Sequence, residues 1–201
     1  MIGIPKRSTQ IQMRLFYLVI IITLFVGCGN HYDNQHVLIK TNLGDIELEL
    51  FPKKAPKTVA AFLSYVNAGY YNNSSFYRVV KEEDMGGNTS GVIQGGVWST
   101  NPQLKVPGIP HESTKETGLS HTSGTVSLAR TTPGTAGTEF FICVGDQTIF
   151  DQGRGHRADT LGYAAFGTVV TGMPIVRKIL EQPSTGENFD KQIMIEKIKR
   201  L

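Results

Sequence analysis

The sequence predicts a mainly β domain: a closed, eight-stranded antiparallel barrel capped by two α-helices. Three observations predict it. Short apolar runs recur from Val37 to the C-terminus, parted by turns that use many of the chain's 22 glycines and 9 prolines. One of these runs, Ile46-Glu47-Leu48-Glu49-Leu50, alternates apolar and acidic residues with the period of two that gives a strand one solvated face. Only two stretches change to helical period. Many short strands favour closure, because a barrel leaves no exposed edges. Eight strands enclose a lumen that side chains fill, so a ligand site belongs on the outer wall.

Taken in order, Val37-Leu38-Ile39-Lys40 and Ile46 to Leu50 form a first hairpin across Leu43-Gly44-Asp45. In Ala55 to Val66, the residues Val59, Phe62, Leu63 and Val66 fall at i, i+3, i+4 and i+7, one face of a helix. Pro56 suits its first turn and Gly69 its end. Phe76 to Val80, Val92 to Val97, Thr125 to Ala129, Phe140 to Val144 and Tyr163 to Val170 read as strands. A second helix runs through Met173, Ile175, Val176, Ile179 and Leu180 and stops near Pro183. Ile193 to Ile198 closes the chain as a strand.

The N-terminus has a different character. Lys6, Arg7 and Arg14 precede an apolar run from Leu15 to Phe25, followed by Val26-Gly27-Cys28 and polar residues. A basic region, a short apolar run and a small residue describe an export signal. The run falls short of the about 20 residues that span a bilayer. Leu24-Phe25-Val26-Gly27-Cys28 resembles a bacterial lipobox, which implies cleavage before Cys28 and acylation of its thiol. The expected organisation is therefore a signal over 1–27, a lipidated Cys28 with tether over 28–36, and one domain over 37–201. Met13 begins a compact signal of its own and is an alternative start. This organisation implies an exported protein of a bacterial cell envelope, held at a membrane by its lipid and expected to be a monomer.

The signal also accounts for the charge. The chain carries 20 Lys and Arg against 17 Asp and Glu, and three of the basic residues precede Cys28. The remaining 17 basic and 17 acidic residues balance, which argues against nucleic-acid binding. With Cys28 acylated, Cys143 is the one remaining thiol, and its place in Phe140-Phe141-Ile142-Cys143-Val144 marks it as packed and inert.

Several blocks carry a family resemblance. Phe76-Tyr77-Arg78-Val79-Val80, Val92-Ile93-Gln94-Gly95-Gly96, Gly124 to Arg130, Glu139-Phe140-Phe141-Ile142 and Tyr163 to Gly167 stand in the order of the signature blocks of the cyclophilins. Pro52, Ala55 to Val59 and Phe62 are similar to that family's first helix. The resemblance implies peptidyl-prolyl cis–trans isomerase activity on proline-containing polypeptides, without a cofactor or metal. It implies Arg78 as the catalytic group, donating to the prolyl nitrogen of a twisting amide. Gln94 would hold the substrate backbone, and Phe141, Val92, Phe150 and Ala129 would form the pocket for the proline ring. Arg130 would offer its backbone to the peptide.

The chain departs from the family pattern at several positions. Tyr77 replaces a common histidine and Glu139 a usual glutamine, which places an anion beside the groove. Ile149 stands where the family has Trp or Phe, so one aromatic wall is thinner and cyclosporin-type ligands should bind weakly. Tyr163 takes a position that is His in many eukaryotic members and Tyr in bacterial ones. An insertion between Arg78 and Gln94 makes Met85 an alternative to Val92 as a pocket wall. A second extra loop brings His156 and Asp159 close in sequence, too few ligands for a metal site. These departures leave a second reading open, a proline-peptide-binding scaffold with little turnover.

Overall fold

The computed structural model describes residues 34–83, 87, 89–155 and 159–201. The signal region, Cys28, Met85 and His156 lie outside these residues. The described fold belongs to the unit Asp33–Leu201.

Nine strands are present among the described residues: β1 (Gln35–Thr41), β2 (Gly44–Leu50), β3 (Ser74–Glu83), β4 (Thr89–Gly96), β5 (Thr125–Leu128), β6 (Phe140–Val144), β7 (Ala164–Thr171), β8 (Ser184–Thr185) and β9 (Asn188–Arg200). All pairings among them are antiparallel. Eight of the strands follow the order β1-β2-β7-β5-β6-β4-β3-β9, and β9 pairs back onto β1 to close the barrel. The extra strand, β8, pairs with β9 at the end of this order. Two residues are too few for any periodicity to register, so nothing in the sequence marks it.

Three α-helices accompany the barrel among the described residues: α1 (Pro56–Asn67), α2 (Thr114–Thr117) and α3 (Met173–Leu180). Helix α1 begins with proline at its first turn and has no side-chain cap of its own. Glu112 supplies one from afar, accepting from the Lys57 and Thr58 amides at 3.1 and 2.8 Å. A carboxylate there satisfies orphan N–H groups and matches the helix dipole. The single turn α2, absent from the sequence-based expectation, is fixed by local chemistry. Ser113 and Glu116 form a capping box, and Gly118 closes the turn at φ +66°.

The core is aromatic at its centre. Phe140 meets Phe62 from α1, Tyr71 and Phe76 in edge-on contacts, with centroids 5.8, 5.7 and 5.7 Å apart. Truncating a ring so placed costs about 3–5 kcal/mol. Strand alternation then divides β6 between two clusters. Phe140, Ile142 and Val144 join the main core, whereas Phe141 and Cys143 join Val92 in a second cluster on the outer wall.

One irregularity positions two side chains of the outer wall. Phe76 pairs with Gly95 and Arg78 with Gln94, so Tyr77 is the extra residue of a β-bulge. Strict alternation would send Arg78 inward with Phe76. The bulge lets Tyr77 and Arg78 share the outer face while Val79 returns to the core.

Candidate active site

A cleft of about 800 Å³ opens on the outer wall across β3, β4 and β6. Its lining includes every predicted site residue of the barrel: Tyr77, Arg78, Val92, Gln94, Ala129, Arg130, Glu139, Phe141, Ile149, Phe150 and Tyr163. The sequence places these residues on separate strands and loops, and the barrel gathers them.

One side of the cleft is apolar. Phe141 meets Phe150 and Tyr163 edge-on, at 5.6 and 5.2 Å, and Phe150 meets Tyr163 at 5.4 Å. Val92 packs with them, as do Val80 and Ala129 in part. Ile149, on the single 3-10 turn Thr148–Phe150, stands half exposed at the rim. Cys143 lies fully buried in this cluster, and burial pushes its thiol well up, which keeps it protonated and inert.

A buried polar group braces the pocket from behind. The imidazole of His121 stacks on Phe141 at 5.9 Å. Its Nδ1 lies 2.6 Å from Asp151 Oδ1 and its Nε2 lies 3.0 Å from Ser127 Oγ. A carboxylate only accepts, so Nδ1 carries the proton and Nε2 accepts from Ser127. Burial lowers the His121 pKa, opposed in part by Asp151, which favours the neutral ring. This group was not foreseen, because Asp151 lies 30 positions from His121 and the three residues match no spacing rule.

The other side is polar and continuous. Arg78 Nη1 donates to Gln94 Oε1 at 2.8 Å. Gln94 Nε2 donates to the Tyr77 hydroxyl at 2.8 Å. That hydroxyl donates to Glu139 Oε2 at 2.7 Å. Glu139 Oε1 accepts from the Val97 and Trp98 amides at 2.8 and 2.9 Å and from Thr138 Oγ1 at 3.0 Å. Glycine at 96 is required here, since a Cβ at that position would lie 2.5 Å from the Glu139 carboxylate. Both oxygens of the Glu139 carboxylate are therefore engaged by donors. Burial, and then Glu139, raise the Tyr77 pKa, so its phenol remains a donor.

The side chain of Arg130 has contacts separate from the backbone role expected of that residue. Its side chain, 1% exposed, makes a two-pronged pair with Asp159 at 2.8 Å on each arm and donates from Nε to the Gly162 carbonyl at 3.0 Å. Its guanidinium lies 5.6 Å over the Tyr163 ring. Arg130 therefore ties the second extra loop to the pocket wall.

Glu187 and Trp98 are among the cleft residues that escaped the sequence reading. Glu187 reaches Arg78 from the tight turn between β8 and β9, and its own carbonyl accepts from the Val79 amide at 2.8 Å. Nothing in the sequence singles it out, because that hairpin was not foreseen. Trp98, the chain's one tryptophan, is 63% exposed and lies against Tyr77 with centroids 5.7 Å apart. A lone tryptophan directly after Gln94-Gly95-Gly96-Val97 was the available signal.

The arrangement seats a small apolar ring among aromatic walls and sets a fixed cation and an amide beside it. Comparison with known proteins identifies the family. The family model described as cyclophilin type peptidyl-prolyl cis-trans isomerase/CLD matches residues 36–200. A peptidyl-prolyl cis-trans isomerase of Acinetobacter baylyi is 36% identical over 167 residues, covering 83% of this chain and 82% of that one. Peptidyl-prolyl cis-trans isomerase B of Escherichia coli is 38% identical over 144 residues, covering 71% and 82%. A cyclophilin type isomerase from Cryptosporidium parvum, solved in the presence of the dipeptide Ala-Pro, superposes with a TM-score of 0.65 at 26% identity, covering 82% of this chain and 97% of the other. With its barrel, its cleft and these relatives in agreement, the chain belongs to the cyclophilin-type peptidyl-prolyl cis–trans isomerases.

Proposed function

We propose that this isomerase acts as a monomer on exported proteins in a bacterial cell envelope, held at a membrane by acylated Cys28, and that Arg78 is its catalytic residue. The observation that carries the catalytic part is the bond from Arg78 to Gln94, 2.8 Å long, with Gln94 paired directly to Phe141 across β4 and β6. A proline ring seated against Phe141, Val92, Ala129, Phe150 and Tyr163 places its amide beside both polar groups. The Ala-Pro dipeptide used with the Cryptosporidium protein supports this class of ligand.

Rotation about an X-Pro bond is slow because the amide loses its double-bond character on the way, against a barrier of about 18–20 kcal/mol. The prolyl nitrogen recovers its lone pair as the amide twists. A donor that meets this lone pair stabilises the twisted state more than the planar one, and only such a difference accelerates the reaction. Each 1.36 kcal/mol of it gives about a tenfold rate. Arg78 commits Nε, one Nη1 proton and one Nη2 proton to Glu187 and Gln94. A guanidinium has five N–H donors, which leaves others for the substrate. Gln94 keeps a second Nε2 proton for the peptide backbone.

A protease-coupled proline-peptide assay tests this reading. Wild type should far exceed the buffer rate, and Arg78→Ala should fall towards it. Equal rates for the two proteins would remove Arg78 from catalysis, and a wild type at the buffer rate would favour the scaffold reading. The tether rests on the basic residues, the short apolar run and Leu24 to Cys28. Several acyl chains on one cysteine give stable anchoring where a single chain is marginal. Mass spectrometry of the mature N-terminus should find an acylated Cys28; an intact chain beginning upstream of it would refute the tether.

A further inference from the structure

We infer that Glu139 and Tyr77 together are positioning residues, setting the direction of the hydrogen-bond chain that presents Arg78 to the substrate. The inference rests on the reading of Arg78 as the catalytic group. Its basis is proton bookkeeping along four side chains whose contacts all lie between 2.7 and 2.8 Å.

The chain starts at an ionised group that can only accept. Glu139 Oε2 takes its bond from the Tyr77 hydroxyl at 2.7 Å, so the single proton of that hydroxyl is committed. Tyr77 can then only accept from its other neighbour. Gln94 must turn its NH₂ towards Tyr77, which turns its carbonyl oxygen towards Arg78. An acceptor facing a guanidinium holds it; a donor in the same place would repel it. The charge on Glu139 thus fixes, two residues away, which end of Gln94 meets Arg78.

Glutamine at position 139 would give a different outcome. Oε1 of Glu139 accepts from two backbone amides, those of Val97 and Trp98. An amide side chain placed there must keep its oxygen against those donors and present its NH₂ to Tyr77. Tyr77 would then accept from residue 139 and donate to Gln94. Gln94 would turn over, and its NH₂ would meet Arg78 donor to donor. The alternative, in which the Tyr77 oxygen accepts from both amides, would leave its one hydroxyl proton without a partner in the chain. The two departures from the family pattern, at 77 and at 139, are therefore one coupled feature.

The test uses kcat and KM of Glu139→Gln, Tyr77→Phe and the double variant in the proline-peptide assay, with Arg78→Ala as reference. Glu139→Gln should lower kcat by about tenfold with a smaller change in KM, as expected when a transition-state contact is misaligned. Tyr77→Phe, which breaks the chain without reversing it, should lose less. The double variant should match Tyr77→Phe and exceed Glu139→Gln, since without the hydroxyl nothing turns Gln94 over. In ¹⁵N spectra the Gln94 side-chain amide should shift in Glu139→Gln and return towards its Tyr77→Phe position in the double variant. Wild-type kcat in Glu139→Gln, or a double variant worse than either single, would overturn the inference. An Arg78→Ala protein as active as wild type would instead refute the catalytic reading on which the inference rests.

Discussion

Glu187 Oε2 accepts from both Nε and Nη2 of Arg78, at 2.9 and 2.5 Å. The pair is open to water, with 37% and 57% of its side chains exposed, so its contribution to stability is less than about 1 kcal/mol. Its effect is on order. An arginine side chain carries about 2 kcal/mol of rotamer entropy. Glu187, delivered by a turn bonded to β3, removes part of that freedom before substrate arrives. Glu187→Ala should therefore leave the melting temperature nearly unchanged while lowering kcat/KM several-fold, and added salt should narrow the gap between the two proteins. A faster Glu187→Ala enzyme would show that the carboxylate competes with substrate for Arg78 instead of ordering it.

Arg130 and Asp159 present the opposite case. The Arg130 side chain is almost fully buried and its partner is one-quarter exposed. The bond to Asp159 raises the Arg130 pKa, so the guanidinium is charged at any working pH. Asp159→Ala leaves a buried cation with the Gly162 carbonyl as its remaining acceptor among the described residues. The loss should be about 1–3 kcal/mol in urea unfolding, reduced from the fully buried case by the exposure of Asp159. Arg130→Met, which keeps bulk against Tyr163 without charge, should cost less than Asp159→Ala. The reverse order would mean that packing on Tyr163, not pairing, dominates at this wall.

Most of the barrel and the apolar pocket was legible because both rest on repeating chemistry. Phe140 to Val144 announces a strand, and period two places Phe141 and Cys143 on the face opposite Phe140 and Ile142. The polar side was legible only in its members. That Tyr77 and Arg78 both face outward depends on a bulge, which shifts register by one residue and leaves no mark in an alternating pattern. Tyr77 and Glu139 lie 62 positions apart and stood as two separate departures until the barrel brought their oxygens to 2.7 Å. Glu187 sits on a hairpin whose first strand has two residues. Long-range polar contacts have no local period to carry them, and the polar side of this cleft is built from such contacts.

His121 gives the fold a pH dependence of definite sign. Its folded-state pKa lies below the ordinary histidine value, because burial disfavours the charged ring more than Asp151 favours it. The unfolded chain therefore binds a proton first as pH falls, and stability is lost from about pH 6.5 downward until the folded pKa is passed. Asp151 adds to this at lower pH. Burial acts to raise its pKa, but bonds from Ser120 and His121 prevail and hold it below the usual carboxylate range. Melting temperature should fall between pH 7.5 and pH 5 in wild type and fall less in His121→Asn. Because His121 stacks on Phe141, kcat/KM should hold while stability begins to fall and decline only once the pH reaches the lowered folded-state pKa of His121. Parallel melting curves for the two proteins would exclude His121 as the titrating group.

Ile149 is where one side chain sets the reach of the apolar pocket. It is 49% exposed on the turn that also carries Phe150, and Phe150 alone of that turn contacts Phe141 and Tyr163 ring to ring. A proline ring needs only the inner pocket, whereas a bulky cyclic peptide must also lie across the rim, where a branched aliphatic offers little flat surface. Cyclosporin should accordingly bind weakly to wild type. In Ile149→Trp the added ring should contribute about 0.5–1.5 kcal/mol, a gain of up to about tenfold in affinity. Calorimetric titration of both proteins measures the gain directly. Proline-peptide kcat/KM should change much less than cyclosporin affinity, since the inner walls are untouched. Equal affinities would show that the rim at position 149 is not the limiting contact, and would shift attention to Trp98, which also lines the cleft.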